Sequence, residues 1–219
     1  MISLPRLYAI LDASCFAEAD ALFGAADELL GTGVLLIQYR NKSGSAGAIL
    51  NPARELRKRC VQAGTAAMPR LVMPTLIMPT LIMNDRADLC LAAEFGGVHV
   101  GQDDFSPESA RKIIGPERWL GVSTHYAQQV VEANQTSADY VAIGPVFATA
   151  SKANPDPVIG LEGVRQARAL TGKPLVAIGG ITRENCRSVI DAGADSVAVI
   201  SDLVTQPGKS AEEFLRILE

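Results

Sequence analysis

The stretch Leu175-Val176-Ala177-Ile178-Gly179-Gly180 decides the fold. Four consecutive apolar residues are typical of a parallel strand covered on both faces, and the glycine pair ends the strand before a helix-compatible stretch. The other apolar runs that precede helix-compatible stretches are Leu7–Asp12, Val34–Arg40, Leu81–Asp85, Gly97–Asp104, Trp119–His125, Tyr140–Pro145 and Ser196–Ser201. Eight alternations of strand and helix predict an α/β fold, a single (β/α)8 TIM barrel.

Polar or glycine-rich residues end seven of these eight runs. The exception, Tyr140–Pro145, leads into a polar loop, Thr149-Ala150-Ser151-Lys152. In a barrel of this type the loops after the strands build the active site. The pattern therefore predicts an enzyme whose polar groups converge at the carboxyl ends of the strands.

Length and composition set further bounds. The 219 residues contain no Ser/Pro-rich linker and no block of like charges, so we expect one domain over residues 1–219. A hydrophobic fraction of 48% suffices for a packed barrel interior and a helix–sheet layer. The net charge of −4 provides no broad basic surface, so we expect no nucleic-acid partner.

The cysteines and the N-terminus indicate the compartment. Cys15, Cys60, Cys90 and Cys186 form no CxxC pair, and we expect buried free thiols. The first residues lack the basic start and apolar core of a signal peptide, and no apolar run reaches the ~18 residues of a membrane span. We expect a cytoplasmic protein without membrane contact.

Several residues mark helix boundaries. Ser106-Pro107-Glu108 and Thr182-Arg183-Glu184 are typical helix starts, and Ala192-Gly193 is a typical helix end. Gly64 and Gly193 are expected to end helices in the left-handed conformation before the next strand.

A near-perfect repeat of five residues spans 71–85, with copies beginning at Leu71, Leu76 and Leu81. Only the last copy can be the strand that delivers Asp85 to the site. The earlier, proline-containing copies would lengthen a helix-to-strand loop at the opposite end of the barrel. A slip by one unit would present nearly the same residues, so the sequence does not decide how the units fold.

Gln38, Arg40 and Lys42 alternate after the second run, so their side chains are expected on one side while Tyr39 and Asn41 point away. Two cations and an amide suit a polyanionic ligand. The alternative is a solvated loop.

Carboxylates end the third and fourth runs, in Asn84-Asp85 and Gln102-Asp103-Asp104. One or two carboxylates, completed by water and substrate phosphate, are the usual ligands of Mg²⁺. The alternative is helix N-capping, because Asp85 and Asp104 each precede a helix-compatible stretch.

Gly179-Gly180 and Ile200-Ser201 end the seventh and eighth runs, where barrels of this type usually bind phosphate through backbone N–H groups. His125 has no triad spacing to Ser or Asp, so a hydrogen-bonding or capping role is favoured. His99 is interpreted as a barrel-interior or core histidine without a catalytic role.

Together these residues resemble thiamine phosphate synthase, a family that joins a pyrimidine methyl diphosphate to a thiazole phosphate and releases pyrophosphate. The similarity covers nearly the whole chain, and its segments are 38–42, 84–86, 97–104, 121–125, 144–152, 160–162, 178–181 and 199–201. Each segment is weakly diagnostic, whereas eight in this order are specific.

The resemblance implies a set of site residues. The pyrimidine diphosphate would be bound by Gln38, Tyr39, Arg40, Asn41, Lys42, Asn84, Ser123 and Lys152. The thiazole phosphate would be bound by Thr149, Ala150, Ser151, Gly180, Ile200 and Ser201. Mg²⁺ would be held by Asp85 and Asp104, and Arg40, Lys42 and Lys152 would be catalytic because they neutralise the departing diphosphate.

The chain departs from the family pattern in three places. Asn41 stands where the family usually has Glu, Ser151 stands where Thr is common, and the repeat lengthens the approach to Asp85. Two other functions are alternatives: a thiazole tautomerase of the same fold, which would not need the cations and carboxylates, and a non-catalytic sensor of a phosphate ligand. The sequence leaves open the oligomeric state and whether the thiazole is carboxylated.

Overall fold

Eight parallel strands pair in chain order, and the last pairs with the first, which closes a barrel in this computed structural model. The structure describes residues 2–66, 78–149 and 156–219. The strands are β1 Leu7–Asp12, β2 Leu36–Arg40, β3 Thr80–Asn84, β4 Gly97–Val100, β5 Trp119–Thr124, β6 Tyr140–Ile143, β7 Leu175–Ile178 and β8 Ser196–Val199. The predicted (β/α)8 barrel is confirmed.

A helix follows each strand along the chain and packs outside the barrel. These helices are α1 Ala19–Gly31, α2 Ala46–Ala66, α3 Ala87–Ala92, α4 Pro107–Ile114, α5 Ala127–Asn134, α6 Gly160–Leu170, α7 Cys186–Asp191 and α8 Pro207–Leu218. Short 3₁₀ helices, Ala13–Cys15 and Ser201–Leu203, follow β1 and β8. Within the described ranges, no helix has both the length and the apolar character needed to cross a membrane.

The apolar residues form two layers, as strand alternation requires. On β1, Tyr8 and Ile10 face the barrel interior, whereas Leu7, Ala9 and Leu11 pack against the helices. The interior cluster is Tyr8, Ile10, Leu36, Ile82, Tyr140, Ala142, Val176 and Ala198. These side chains fill the barrel below the carboxyl ends of the strands and leave polar groups to form the rim.

Two of the four predicted helix boundaries agree with the structure. Ser106 caps α4, since its side chain accepts a hydrogen bond from the backbone N–H of Ser109. Gly193 has φ 113° directly after α7, as expected. α7 begins at Cys186 rather than at Thr182, because Thr182 donates its backbone N–H to Asn185 Oδ1 in a turn that precedes the helix.

The prediction for Gly64 was wrong, because Gly64 lies inside α2. A Cβ atom at this position would meet Met78 Sδ at 2.2 Å, so the glycine is explained by the close approach of the chain that enters β3. The last repeat copy forms β3 and ends directly before Asp85, as expected. Residues 71–77 of the repeat lie outside the described residues.

The four cysteines are free thiols. Cys60, Cys90 and Cys186 are buried, as predicted, but Cys15 is exposed, which contradicts the prediction of burial. Cys15 lies in the 3₁₀ helix that follows β1, and this helix buries none of its residues.

Candidate active site

A cleft of ≈ 530 Å³ opens at the carboxyl ends of the strands, and every strand of the barrel contributes to its wall. The structure brings together most of the residues that the sequence singled out: Gln38, Arg40, Lys42, Asn84, Asp85, Asp104, Ser123, Thr149, Gly180, Ile200 and Ser201. Residues distant in sequence meet here because parallel strands present their carboxyl ends at one edge of a barrel.

Two predicted residues are not part of the wall. Tyr39 is buried in the layer between the strands and the helices, and its hydroxyl accepts a hydrogen bond from Asn41 Nδ2 at 3.2 Å. Asn41 Oδ1 accepts from the backbone N–H of Ser43 at 3.0 Å, which shapes the loop after β2. Ala150, Ser151 and Lys152 lie outside the described residues.

The end of β2 supplies the cationic side of the cleft. Gln38 is 3% exposed and Arg40 is partly buried, so neither belongs to a solvated loop. Arg40 forms an ion pair with Asp12, which lies directly opposite it on β1. Asp12 is buried and also accepts from the backbone N–H and the hydroxyl of Ser14, so it holds the guanidinium in place.

Two carboxylates face this cationic side. Asp85 Oδ2 lies 3.1 Å from Lys42 Nζ, and Asp104 Oδ2 accepts from the backbone N–H of Gly101 at 2.8 Å. Burial raises the pKa of the Asp104 carboxyl, and a hydrogen bond with Asp85 raises this pKa further. A carboxyl group whose ionisation is disfavoured by burial and by a neighbouring carboxyl group forms a site that a cation would stabilise.

Helix capping does not explain these carboxylates. Arg86 occupies the cap position of α3 and Ser106 that of α4, and Ser106 makes the side-chain cap itself. Asp85 has φ 61°, a left-handed conformation that non-glycine residues rarely adopt and that Asp and Asn tolerate best. Such a conformation next to a cleft is typical of a functional site.

The donors suit a hard cation with few protein ligands. In the part of the chain that the structure describes, no three or more His, Cys, Asp or Glu side chains form a metal-binding group. Asp85 and Asp104 would therefore supply two oxygen ligands and leave the others to water and substrate. This is the ligand set of Mg²⁺ at phosphate-handling sites, rather than that of a structural zinc site.

Asn84 ends β3 beside this pair. Its Nδ2 atom is buried and has no hydrogen-bond partner among the described residues. A buried amide N–H without a partner costs about 1–3 kcal/mol, so the atom is suited to an acceptor on a bound ligand.

The ends of β7 and β8 form the opposite side of the cleft. Gly179 and Gly180 have φ 104° and 62°, and a Cβ atom on Gly180 would lie 2.4 Å from the carbonyl oxygen of Ala148. The backbone N–H of Phe147 donates to the carbonyl of Gly179 at 2.9 Å, which ties the loop after β6 to the end of β7. Ile200 and Ser201 line the neighbouring wall where a 3₁₀ helix begins.

The two histidines hold structural hydrogen bonds. His99 is 8% exposed in the barrel interior, with Nδ1 3.1 Å from the Tyr140 hydroxyl and Nε2 2.9 Å from Ser123 Oγ. Burial lowers the pKa of His99 to about 4, so its ring is neutral near pH 7. His125 Nδ1 lies 2.8 Å from the carbonyl oxygen of Gly144, in agreement with the hydrogen-bonding role favoured by the sequence.

Sequence reasoning missed three polar residues that support the site. Asp12 ended the first apolar run. Its position opposite Arg40 depends on the register of β1 against β2, which the sequence does not give. Tyr8 and Tyr140 lay within apolar runs and were given no role, although their hydroxyls hydrogen-bond to each other at 3.0 Å. The available signal was a phenol at an inward-facing position, which needs a polar partner when buried.

Comparisons with known proteins agree with this geometry. A family model described as thiamine monophosphate synthase matches residues 7–203. The chain is 58% identical over 220 residues to a thiamine-phosphate synthase from Koribacter versatilis, covering 99% of this chain and 97% of the relative. It is 38% identical over 199 residues to a thiamine-phosphate synthase from Shouchella clausii, covering 91% of this chain and 88% of the relative.

A solved structure has the same architecture. A thiamine phosphate pyrophosphorylase from Pyrococcus furiosus superposes with a TM-score of 0.81 at 30% identity, covering 97% of this chain and 95% of that structure.

Proposed function

The chain belongs to the thiamine monophosphate synthase family, and we propose that its cleft joins a pyrimidine methyl diphosphate to a thiazole phosphate with release of pyrophosphate. The enzyme is accordingly a transferase of thiamine biosynthesis. The observation that carries the proposal is the meeting of Lys42, Asp85 and Asp104 in one cleft. A thiazole tautomerase would not need these cations and carboxylates. A non-catalytic sensor would bind its ligand without turnover and would not need them to neutralise a leaving group.

The β2–β4 side of the cleft is proposed to bind the pyrimidine diphosphate. Gln38, Asn84 and Ser123 would bind the pyrimidine half, and Nδ2 of Asn84 would gain the acceptor that it lacks among the described residues. Arg40 and Lys42 would neutralise the diphosphate, with Lys152 of the loop after β6 as the third cation. Positive charge stabilises the departing diphosphate in a cleft partly shielded from water.

Tyr39 and Asn41 are proposed to contribute in a different manner from the residues of the wall. Their side chains point away from the cleft, so they would shape the strand end that carries Arg40 and Lys42. Asn41 therefore replaces the usual Glu at a position where a loop-forming side chain suffices.

Mg²⁺ is the cofactor that the carboxylate pair fits. Asp85 and Asp104 would hold it, and the ion would supply charge neutralisation for the diphosphate oxygens. The raised pKa of Asp104 supports this assignment, because a bound cation would favour the ionised carboxylate.

The β6–β8 side is proposed to bind the thiazole phosphate. Gly180, Ile200 and Ser201 would surround the phosphate, together with Thr149, Ala150 and Ser151 of the loop after β6. Holding the phosphate there would orient the thiazole nitrogen towards the methylene carbon of the pyrimidine. The electron-rich aminopyrimidine can stabilise positive charge on this carbon as the diphosphate departs, so the reaction needs no protein nucleophile.

Product analysis tests the proposal. The purified protein is incubated with the pyrimidine diphosphate, the thiazole phosphate and Mg²⁺, and thiamine phosphate and pyrophosphate are quantified. We expect both products in equal amounts, and neither product when one substrate is left out. Folded protein that forms neither product from the complete mixture would contradict the proposal.

We also propose that residues 1–219 act as one domain in a reducing cytoplasm. The eight strands of the barrel lie between Leu7 and Val199, and α8 packs against α1 and β1. All four cysteines are free, as is usual for cytoplasmic proteins.

A further inference from the structure

Five polar side chains form a continuous hydrogen-bonded chain across the barrel interior, and four of them, all but Tyr140, also line the cleft. Gln38 Nε2 lies 2.8 Å from the Tyr8 hydroxyl, which lies 3.0 Å from the Tyr140 hydroxyl. The Tyr140 hydroxyl is 3.1 Å from His99 Nδ1, and His99 Nε2 is 2.9 Å from Ser123 Oγ. This hydrogen-bonded chain connects Gln38 and Ser123, to which pyrimidine contacts are assigned, through three residues to which no ligand contact is assigned.

The amide group of Gln38 sets the direction of this chain. Because Tyr8 accepts a hydrogen bond from Gln38 Nε2, its own proton is free to point to Tyr140. In this order the Tyr140 hydroxyl would donate to His99 Nδ1, and the proton of the neutral ring would lie on Nε2 and point to Ser123. In this order each tyrosine hydroxyl accepts one hydrogen bond and donates one, and the Ser123 proton is left for the cleft.

Burial makes this order costly to disturb. Tyr8 and Tyr140 are 1% and 0% exposed, so an unpaired hydroxyl would lose its hydration without compensation. Burial also raises the pKa of both phenols, which keeps them protonated and able to donate. The reverse order would require the Gln38 amide to turn its oxygen towards Tyr8.

We propose that Tyr8, Tyr140 and His99 are positioning residues that fix the Ser123 hydroxyl as a hydrogen-bond donor to an acceptor atom of the pyrimidine half of the substrate. The identity of this ligand rests on the proposed function, whereas the direction of the chain does not. An aromatic ring nitrogen is the acceptor that suits such a donor. The hydrogen-bonded chain would therefore favour a pyrimidine with an unprotonated nitrogen at this position.

The tautomer of His99 tests the direction without substrate or metal. The protein has two histidines, so a ¹H–¹⁵N correlation spectrum of the imidazole rings is readily assigned with a His125→Gln variant. We expect the proton of His99 on Nε2 in the wild-type protein. In Tyr140→Phe, His99 Nδ1 loses its donor, so we expect a mixture of tautomers.

Steady-state kinetics test the positioning role. In Tyr140→Phe we expect KM for the pyrimidine diphosphate to rise about tenfold, the usual effect of one lost hydrogen bond. KM for the thiazole phosphate and kcat should change less than twofold. Tyr8→Phe should raise the same KM and is the second variant if Tyr140→Phe does not fold.

Ser196→Ala is the matched control. It removes a fully buried hydroxyl from the same barrel. Ser196 lies at the amino end of β8, opposite the cleft, where its Oγ hydrogen-bonds to the carbonyl of Arg6. Neither the tautomer of His99 nor either KM should change in this variant.

The outcomes separate the two proposals. A wild-type ring protonated on Nδ1, or on both nitrogens, would overturn the inferred direction. An Nε2 proton with an unchanged pyrimidine KM in both tyrosine variants would overturn the positioning role. Absence of turnover in the wild-type protein would instead contradict the proposed function. The measured tautomer of His99 would still test the direction of the hydrogen-bonded chain.

Discussion

Lys42 Nζ lies 3.1 Å from Asp85 Oδ2, so a cation that follows β2 pairs with a carboxylate that follows β3. The lysine side chain is 56% exposed, whereas the aspartate side chain is 20% exposed and lies beside Asp104. In the proposed reaction the surface-facing lysine would move to the substrate diphosphate, while the more buried carboxylate would stay in place for a metal ion.

Replacement of this carboxylate tests its role. We predict that Asp85→Asn lowers the rate of pyrophosphate release by about 10²-fold or more, because an electrostatic group at the departing diphosphate is lost. Asn is chosen because it tolerates the φ of 61° at this position, so the barrel should remain folded by circular dichroism.

Asp88→Asn is the control for Asp85→Asn. Asp88 pairs with Arg86 on the surface of α3 and is 52% exposed. Its replacement should leave the rate within a factor of two. An Asp85→Asn variant with the wild-type rate would contradict the role given to Asp85.

Lys152 is predicted to act on the same diphosphate. We expect Lys152→Ala to lower kcat/KM for the pyrimidine diphosphate by about 10²-fold, because one of three neutralising cations is removed. Lys209→Ala removes an exposed cation from α8 and should leave kcat/KM unchanged. If Lys152→Ala leaves kcat/KM for the pyrimidine diphosphate as high as Lys209→Ala does, Lys152 does not act on the diphosphate.

The proposed phosphate site at the ends of β7 and β8 is tested by two glycines with the same φ of 62°. In Gly180→Ala the new Cβ would lie 2.4 Å from the carbonyl oxygen of Ala148, so the end of β7 must shift. We predict a higher KM for the thiazole phosphate and a loss of about 1–3 kcal/mol in the free energy of unfolding.

Gly160→Ala introduces the same backbone strain in open space, since nothing lies within 4 Å of the new Cβ. It should cost about 1 kcal/mol and leave this KM unchanged. If both variants raise KM for the thiazole phosphate equally, the cause would be general backbone strain rather than the shape of the proposed phosphate site.

The buried His99 predicts a pH dependence of stability. Burial lowers its pKa to about 4 in the folded protein, whereas the unfolded value is about 6.5. As the pH falls through this window the unfolded chain binds a proton first, so stability that is complete above pH ~6.5 is lost towards pH ~4.

The expected loss is about 3 kcal/mol in the free energy of unfolding, measured by urea denaturation without Mg²⁺. His99→Gln should show a flatter pH profile over the same range, because the titrating ring is removed. Parallel profiles would show that His99 titrates normally in the folded state.

The sequence predicted the fold and most of the cleft because both depend on local patterns. Each strand end carries its polar residues directly, so Asp85 and Gly180 could be placed at the rim once the barrel was inferred. The order of the strands then followed from the short connections.

Contacts between strands were the part that sequence could not provide. Asp12 pairs with Arg40, and Tyr8 with Tyr140, because closure of the barrel sets the register of β1 against β2 and brings β1 and β6 across the interior. Gly64 was misread for a related reason, because its small size serves a contact with Met78 and not a helix end.

The most direct measurement is pyrophosphate release by the wild-type protein with both substrates, as Mg²⁺ is removed with a chelator and then restored. We predict that release stops without the metal, returns when Mg²⁺ is added, and needs a higher Mg²⁺ concentration in Asp104→Asn. Release that continues without any divalent metal would contradict a cleft in which Asp85 and Asp104 serve a cation.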